Sequence, residues 1–330
     1  MIISKTPLRI SFFGGGTDYP DHIAKYGGAV LSTSINKYVY LTVNRISEIS
    51  QHKYKVTYSK LEHCQSIDEL LHPSVRACLR FIEIEEGIEI HTMSDLPAQT
   101  GLGSSSSFTV GLLNALYAYK GKMIPSLQLA QEAIYVEQKL IGEKVGVQDQ
   151  CAAAIGGLNL FEFRQDGSIT YKSVIMSEQR KQIFKGNLML FYTGIQRFAE
   201  DVLKEQIDKT QNGKIAKDLS NIRNMVDEGF SILTSDTELS KFGELLHTAW
   251  VSKKSLSSAI SNTYLDEMYD KALNAGAIGG KLLGAGGGGF FLFYVEKERQ
   301  ENVRLALKNY QEVSFDFDKE GSKNIFVYDN

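Results

Sequence analysis

Hydrophobic and polar residues alternate along several short stretches of the chain, which is the pattern of half-buried β-strands. The clearest case is 53–59, where Tyr54, Val56 and Tyr58 are separated by polar residues. The stretch 28–45 is rich in β-branched and aromatic residues and predicts one or two strands. Alternation and short apolar runs predict further strands at 5–13, 87–93, 157–163, 188–193, 290–295, 313–317 and 324–328.

Other stretches repeat their apolar residues at helical spacing. In 104–119, for example, Phe108, Leu112, Leu116 and Tyr119 fall on one face. The same spacing predicts helices at 67–84, 104–119, 126–143, 198–211, 214–233, 239–261, 264–275 and 298–310.

The order of predicted strands and helices changes near the middle of the chain. Strands and helices are mixed before the polar stretch 181–186, and helices predominate after it. The chain has 330 residues, which is enough for two domains because a domain averages about 150 residues. We therefore predict one domain over 1–183 and a second over 184–330.

Composition narrows the class of protein. Apolar residues make up 43% and charged residues 23%, which is ordinary for a globular chain. The longest apolar run, 290–295, is far shorter than the roughly 20 residues that span a bilayer, and Lys5 and Arg9 interrupt the region where a signal peptide is apolar. With 36 basic and 39 acidic residues, the chain has no positive excess for nonspecific nucleic-acid binding. We therefore expect a cytoplasmic protein without nucleic-acid or membrane partners.

Glycine is the most informative residue in the composition. The 29 glycines are concentrated in three groups: 14–16, the pair Gly101 and Gly103, and 276–289, where eight of fourteen residues are glycine. All three groups adjoin apolar strand or helix patterns. Glycine in such positions permits tight turns and close approach of the backbone to a ligand. A plain turn would explain any one group, whereas the three together predict a ligand site.

The second group belongs to a glycine- and serine-rich loop, 97–107, that follows a strand and opens a helix. Free N–H groups and the positive end of the helix dipole make such a helix start favourable for a phosphate. The loop has neither the GxxxxGK[ST] nor the GxGxxG pattern, and a serine-rich helix cap is the alternative explanation. We predict phosphate binding by Gly101, Leu102, Gly103, Ser104, Ser105, Ser106 and Ser107.

Two carboxylates follow this loop in the sequence. Glu137 shares a helix face with Ala130, Ile134 and Ile141, and a carboxylate there is costly unless it is paired or bound to a metal. A position at the rim of that face is the alternative. Asp149 follows the predicted helix, where it would serve as a general base or metal ligand, although a turn or helix-capping aspartate is the better explanation of this segment taken alone.

Three segments, taken together, resemble the motifs of the GHMP kinase superfamily, named for galactokinase, homoserine kinase, mevalonate kinase and phosphomevalonate kinase. Residues 7–21, PLRISFFGGGTDYPD, resemble its first motif, 97–107 its second, and 281–290, KLLGAGGGGF, its third. Their order and spacing match over essentially the whole chain. The resemblance implies an α+β fold with two domains, an N-terminal ATP-binding domain like ribosomal protein S5 domain 2 and a ferredoxin-like C-terminal domain, with ATP between them.

Within the superfamily, the first segment, WVSKKSL at 250–256 and GGKLLGAGGGGF at 279–290 are similar to the heptose 7-phosphate kinases. That resemblance implies transfer of phosphate from ATP to the anomeric hydroxyl of D-glycero-D-manno-heptose 7-phosphate. The product is the 1,7-bisphosphate, on the route to GDP-heptose and surface polysaccharides. It implies a small sugar phosphate and ATP as partners and Mg²⁺ as a cofactor. A sugar 1-kinase for fucose or galactose and a non-catalytic ATP and sugar sensor are the alternatives, and the sequence leaves a homo-oligomer open.

The motif positions imply roles for individual residues. Asp149 matches the base for the sugar hydroxyl, and Arg9 matches its countercharge. Ser105 and Glu137 match the two magnesium ligands. Galactokinases have Gly-Glu-His where this chain has three glycines, 14–16, which argues for a larger or differently held sugar.

A sugar phosphate also requires positive charge around its own phosphate group. Lys281 and Arg197 are candidates, together with Lys253 and Lys254, for which a solvated helix face is an equally good explanation. With the positions of the first and third motifs, the predicted substrate-binding residues are Gly15, Gly16, Thr17, Asp18, Tyr19, Arg197, Lys254, Lys281, Gly286 and Gly287.

Overall fold

The computed structural model describes residues 1–196 and 216–328 and shows an α+β protein built on two β-sheets. The larger sheet has the order β12-β1-β2-β5-β3-β4, and β2 also pairs with β6, which pairs with β7. Only β3 and β5 are parallel among these pairs of the described chain. The strands are β1 (Ile2–Phe13), β2 (Gly28–Arg45), β3 (Tyr54–Thr57), β4 (Leu61–Cys64), β5 (Ile88–Ser94), β6 (Leu158–Phe163), β7 (Ile169–Ser173) and β12 (Lys323–Val327).

The smaller sheet is antiparallel and has the order β11-β8-β10-β9. Its strands are β8 (Leu188–Tyr192), β9 (Gly279–Leu282), β10 (Phe290–Tyr294) and β11 (Gln311–Glu312). The helices of the described residues are α1 (Pro20–Tyr26), α2 (Pro73–Phe81), α3 (Ser104–Tyr119), α4 (Ser126–Tyr135), α5 (Gln148–Ile155), α6 (Glu178–Gly186), α7 (Ala216–Thr234), α8 (Ser240–Lys254), α9 (Thr263–Asn274) and α10 (Gln300–Ala306).

Helix α3 is the central helix of the larger layer. Its residues from Ser106 to Leu113 are all buried, because the helix lies against β1 and β2 on one side and against α5 on another. Gly111 permits the close approach to the sheet, since a Cβ at this position would lie 2.6 Å from the hydroxyl of Thr6. This packing fixes the start of α3 beside β1, where the backbone N–H of Arg9 donates to the carbonyl of Leu102.

An aromatic cluster joins the end of β1 to helices α6 and α8. The ring of Phe242, on α8, lies 5.3 Å from that of Phe12, 5.0 Å from Phe13 and 4.8 Å from Phe184. All four side chains are buried. Edge-to-face contacts of this kind add to the hydrophobic stabilisation that burial provides.

The sequence-based elements agree closely with the structure where the periodicity is long. The 104–119 helix is confirmed residue for residue, and 28–45 is one strand. The predicted helix 67–84 is wrong before Pro73, because a short 3-10 turn precedes this proline, which is favourable only in the first turn of a helix. The helix predicted over 126–143 is α-helical only up to Tyr135, and a π-helix over Val136–Ile141 follows it directly.

One predicted strand differs from the structure, and one predicted helix is not tested by it. The strand predicted at 313–317 is wrong, since β11 lies at 311–312 and Phe317 makes only an isolated bridge to Ile35. The helix predicted at 198–211 lies outside the described residues. The polar stretch 181–186 forms part of α6, and β12 returns to pair with β1, so residues after 183 contribute to both sheets. Among the residues that the structure describes, no helix is both long and apolar enough to cross a bilayer.

We predict that Phe242→Ala lowers the free energy of unfolding by about 3–5 kcal/mol, because it leaves a cavity among three buried rings. Urea denaturation followed by circular dichroism measures the change. Met123→Ala is the control, since Met123 is 95% exposed and its truncation is expected to have little effect. A loss as small as that of the control would show that the cluster does not stabilise the fold.

Candidate active site

A cleft of about 1050 Å³ opens between the two sheets, and it is bordered by all three glycine groups. We call 14–18 the first loop, 97–107 the phosphate loop and 283–289 the third loop. The first loop follows β1, the phosphate loop leads into α3, and the third loop connects β9 to β10. The cleft therefore lies where the ends of these elements converge.

The phosphate loop and the third loop contact each other through their backbones. Gly101 has a φ of +81°, and a Cβ there would lie 2.4 Å from the carbonyl oxygen of Leu283. Gly284 has a φ of +72°, and its Cβ would lie 2.4 Å from the Cα of Gly101. Gly289 approaches Thr100 in the same way. Only glycine fits such positions, because both the backbone conformation and the space exclude a side chain.

Arg9 and Asp149 form a two-point ion pair in the centre of the cleft. The Nε of Arg9 donates to Oδ1 of Asp149 at 2.8 Å, and Nη2 donates to Oδ2 at 2.9 Å. Nη1 of Arg9 donates to the carbonyl of Gly101, which joins the pair to the phosphate loop. A Cβ on Gly103 would lie 3.2 Å from both Arg9 and Asp149. Bidentate geometry fixes the orientation of a carboxylate, and the side chain of Asp149 remains 26% exposed to the cleft.

Asp18 connects the first loop to the start of the helix that carries Asp149. Its carboxylate accepts hydrogen bonds from the backbone N–H of Gly16 at 2.9 Å and of Gln148 at 3.3 Å. Burial raises the pKa of Asp18 above its ordinary value, and the charge of Asp149 adds to the rise. Gly146 leaves the space for this carboxylate, since a Cβ there would lie 2.0 Å from its Oδ2.

Glu137 lies on the other side of the phosphate loop, in the first turn of the π-helix 136–141. Ser106 donates to its Oε2 at 3.0 Å and Gln150 donates to the same oxygen, whereas Oε1 is buried without a hydrogen-bond partner. Burial raises the pKa of Glu137 from 4.5 to about 7, and the charge of Glu143 adds to the rise. A π-helix has a wider turn than an α-helix, and this changes the direction in which the Glu137 side chain leaves the helix.

The surroundings of Glu137 fit a magnesium ion. A buried carboxylate oxygen without a partner, beside serine hydroxyls at the start of α3, is the hard oxygen set that Mg²⁺ prefers. The hydroxyl that contacts Glu137 is that of Ser106, whereas the predicted ligand Ser105 is exposed and lines the same cleft.

Lys281 projects from β9 into the seam between the two sheets. Its ammonium donates to the carbonyls of Ser11 at 3.0 Å and Phe12 at 2.8 Å, and the residue is only 6% exposed. Burial holds the pKa of Lys281 well below its ordinary value, and the neighbouring cations Lys253 and Arg9 lower it further.

Lys253 enters the cleft from the last turn of α8. Its ammonium donates to the carbonyls of Leu282 at 3.2 Å and of Gly284 in the third loop. Burial lowers the pKa of Lys253 to about 7, and Arg9 contributes to the shift. The cleft therefore contains two ammonium groups that bind backbone carbonyls rather than carboxylates.

Two family models match the chain: the GHMP kinases N terminal domain over residues 71–157 and the GHMP kinases C terminal over residues 235–312. Together they span half of the chain. The chain belongs to the GHMP kinase superfamily. It is therefore a kinase, an enzyme that transfers a phosphoryl group to an acceptor.

Sugar kinases resemble this GHMP kinase along its whole length. D-glycero-alpha-D-manno-heptose 7-phosphate kinase of Campylobacter jejuni is 28% identical, with 98% of both chains aligned. Galactokinase of Pyrococcus furiosus is 25% identical over 93% of this chain and 92% of the relative. A crystal structure from Bacteroides thetaiotaomicron, described as a D-glycero-D-manno-heptose 1-phosphate kinase, has a TM-score of 0.81, 25% identity and full coverage of both chains.

The structure of this GHMP kinase brings most of the predicted site residues to the cleft. Beside Arg9 and Asp149, these are Gly15, Gly16, Asp18, Tyr19, Gly101, Gly103, Ser104, Ser105, Ser106, Lys281 and Gly286. Glu137 lies behind Ser106. Arg197 lies outside the described residues.

Other predicted residues form the support of the loops rather than the cleft surface. The hydroxyl of Thr17 donates to the carbonyls of Gly14 and Ala29, and that of Ser107 donates to Pro7. Leu102 is fully buried. Gly287 does not line the cleft either; its N–H donates to the carbonyl of Ile260.

The prediction for Lys254 needs correction. Its ammonium pairs with Asp266 at 3.0 Å and lies 5.6 Å from the ring of Trp250, outside the cleft, whereas its neighbour Lys253 lines the cleft. Successive residues of a helix point about 100° apart, because one turn takes 3.6 residues. Only one of the two lysines is therefore able to face the site, and the sequence does not indicate which.

Sequence reasoning also missed Ser11, Gln148 and an aromatic end of the cleft. The rings of His72 and Phe108 stack at 4.6 Å, and Tyr58 packs edge-on against His72 at 4.8 Å. His72 precedes Pro73 and caps α2 by accepting from the N–H of Val75, and the X-Pro pair was the available signal for that helix start.

We predict that Glu137→Gln stabilises this GHMP kinase in a pH-dependent way when Mg²⁺ and ATP are absent. The pKa of Glu137 is about 7 in the folded protein and 4.5 in its ordinary state, so ionisation of Glu137 disfavours folding as the pH rises between these values. Above about pH 8 the variant is expected to gain about 3 kcal/mol in the free energy of unfolding, and near pH 4.5 nothing.

Urea denaturation at several pH values measures this difference. Glu85→Gln is the control, since Glu85 is exposed. A gain for Glu137→Gln that is the same at all pH values would contradict the raised pKa.

Proposed function

We propose that this GHMP kinase transfers the terminal phosphoryl group of ATP to the anomeric hydroxyl of D-glycero-D-manno-heptose 7-phosphate. The product is the 1,7-bisphosphate, a precursor of GDP-heptose for surface polysaccharides. The observation that carries the proposal is the Arg9–Asp149 pair, which lies between the phosphate loop and the first loop. The relative from Campylobacter jejuni supports the choice of sugar because it aligns over 98% of both chains.

In this proposal Asp149 is the group that acts on the sugar. Its carboxylate is fixed by Arg9 and is partly exposed to the cleft. On the acceptor side, its neighbour Gln148 is bound to Asp18 of the first loop. In the proposed reaction Asp149 orients the anomeric hydroxyl and accepts its proton. Arg9 supplies positive charge beside the transferring phosphoryl group, which stabilises the charge that develops there.

In this proposal the phosphate loop holds the phosphates of ATP. Gly103 and the serines that follow it form the first turn of α3, which presents unpaired N–H groups and the positive end of the helix dipole. The stacked rings of His72 and Phe108, at the other end of the cleft, offer a flat apolar surface for the adenine.

Glu137 and a serine of the phosphate loop would hold Mg²⁺, with Ser106 in contact with Glu137 and Ser105 on the cleft surface. The bound ion would neutralise charge on the phosphates during phosphoryl transfer. Gln150 and Ser106 keep the Glu137 side chain in one orientation, and the buried Oε1 is the oxygen left for the ion.

A free sugar is the second candidate acceptor. The galactokinase of Pyrococcus furiosus aligns over 93% of this chain, and such an acceptor requires no positive charge for a second phosphate. A non-catalytic sensor is the third candidate. Arg9, Asp149 and the phosphate loop line the cleft, and Glu137 lies directly behind Ser106 of that loop; the presence of this complete set argues for turnover.

Release of ADP from MgATP with a panel of sugars tests the proposal. We expect turnover with D-glycero-D-manno-heptose 7-phosphate and little with galactose, fucose or the unphosphorylated heptose. Turnover with a free sugar alone would retain the kinase chemistry and discard the heptose phosphate. ATP binding without turnover of any sugar would favour the sensor.

We predict that Asp149→Asn lowers kcat by about 10²–10⁴-fold, because the amide does not accept the proton of the hydroxyl. The KM for ATP is expected to change little, since the phosphate loop and the aromatic end are intact. Steady-state kinetics measure both constants, and Asp236→Asn, at an exposed position, is the control. A kcat close to that of the control would contradict the role of Asp149.

A further inference from the structure

The charged side chains that line the cleft differ in whether they have a partner of opposite charge. Arg9 is paired with Asp149, and Asp18 is held by backbone N–H groups. In the described part of the chain, by contrast, Lys253 and Lys281 bind only backbone carbonyls and have no carboxylate within 4.0 Å. A charge that is removed from water without a counterion is costly, which is why burial lowers the pKa of both lysines. An anionic ligand at their ammonium groups would supply the missing counterion and favour their charged form.

The geometry of each lysine leaves one N–H free for that ligand. An ammonium group has three donors. Lys281 uses two of them on the carbonyls of Ser11 and Phe12, and Lys253 uses two on those of Leu282 and Gly284. Both residues line the cleft, so the remaining donor of each is available to a ligand bound there.

A second unsatisfied group lies beside Lys281. The hydroxyl of Ser11 is buried without a hydrogen-bond partner. It lies 4.0 Å from the position that a Cβ on Gly15 would take, and the Nε2 of Gln148 lies 3.6 Å from the same position. A buried hydroxyl without a partner is unfavourable unless a ligand supplies one. Ser11 and Lys281 thus mark a place beside the first loop.

We propose that Lys281, Lys253 and Ser11 form a pocket for a phosphate monoester of the acceptor, distinct from the site of the ATP phosphates. This inference rests on the proposed function. The phosphate loop and the start of α3 already offer N–H donors to the nucleotide on one side of the Arg9–Asp149 pair. Ser11 and Lys281 belong to the side of the first loop, where the acceptor lies, and Lys253 lies at the junction with the third loop.

A dianionic phosphate also explains why two cations are close together. Burial lowers the pKa of Lys281 most, and the nearby positive charges of Lys253 and Arg9 lower it further. A ligand with two negative charges offsets this repulsion, whereas a neutral sugar leaves it in place. The pocket therefore selects a phosphorylated acceptor over the free sugar.

Kinetics of Lys281→Met, Lys253→Met and Ser11→Ala test the pocket, with Lys241→Met as the control because Lys241 lies on α8 at an exposed position. We expect the KM for heptose 7-phosphate to rise about 10–100-fold in each lysine variant, because a charge-assisted hydrogen bond to the phosphate is lost. The rise is expected to be smaller in Ser11→Ala, which loses the hydrogen bond of an uncharged hydroxyl. The KM for ATP is expected to stay close to that of the wild type. A rise confined to the KM for ATP, or no change in either, would overturn the pocket.

Protection from acetylation tests the same pocket without turnover and in the folded wild-type protein. Acetic anhydride labels lysines, and mass spectrometry measures the rate at Lys253 relative to Lys241. We expect inorganic phosphate and heptose 7-phosphate to slow labelling of Lys253 in the absence of ATP, and the unphosphorylated heptose not to do so. Equal labelling with and without these phosphates would overturn the pocket even if the lysine variants fail to fold.

These experiments distinguish a failure of the proposed pocket from a failure of the proposed substrate. Protection of Lys253 by inorganic phosphate, with no turnover of heptose 7-phosphate by the wild type, would support the pocket and reject the proposed substrate. Turnover of heptose 7-phosphate with an unchanged KM in the folded variants would support the proposed function and reject the pocket.

Discussion

The contact between the backbones of Gly101 and Gly284 is the constraint on which the cleft depends. It brings the phosphate loop against the third loop so closely that neither position has space for a Cβ. Arg9 donates to the carbonyl of Gly101, and Lys253 donates to that of Gly284. The contact thus fixes two cations at once, one on each side of the junction, and it joins the larger sheet to the smaller one.

The polar groups of the cleft form two sets with different requirements. Arg9, Asp149 and Asp18 satisfy one another or the backbone and are complete without a ligand. Glu137 and Ser11 retain buried atoms without partners. Buried polar atoms in folded proteins are normally hydrogen-bonded, and in the proposed function Mg²⁺ and the acceptor supply partners for the second set.

The sequence predicted the parts of this protein that depend on local pattern. The helix over 104–119 has a long apolar periodicity, and the glycine groups are dense enough to indicate a ligand site. The pairing of β12 with β1 was not predictable in this way, because it joins the two ends of the chain and depends on tertiary packing. The same holds for the π-helix 136–141, which follows α4 without a change in composition.

The candidate site was predictable in its motifs but not in the direction of each side chain. Lys253 and Lys254 are adjacent and identical in type, and only the rotation of α8 decides that Lys253 faces the cleft. Thr17 lies in the first motif, yet its hydroxyl holds the loop from behind. Sequence position therefore located the loops, whereas the division between ligand-binding and loop-supporting residues required the packing.

In the proposed reaction this cleft transfers a phosphoryl group to the anomeric oxygen of a sugar phosphate. ³¹P NMR of the product formed from MgATP and D-glycero-D-manno-heptose 7-phosphate tests this reaction most directly. We expect a new phosphate resonance coupled to the anomeric proton, alongside the original 7-phosphate resonance. A new resonance coupled to any other sugar proton, or none at all, would contradict it.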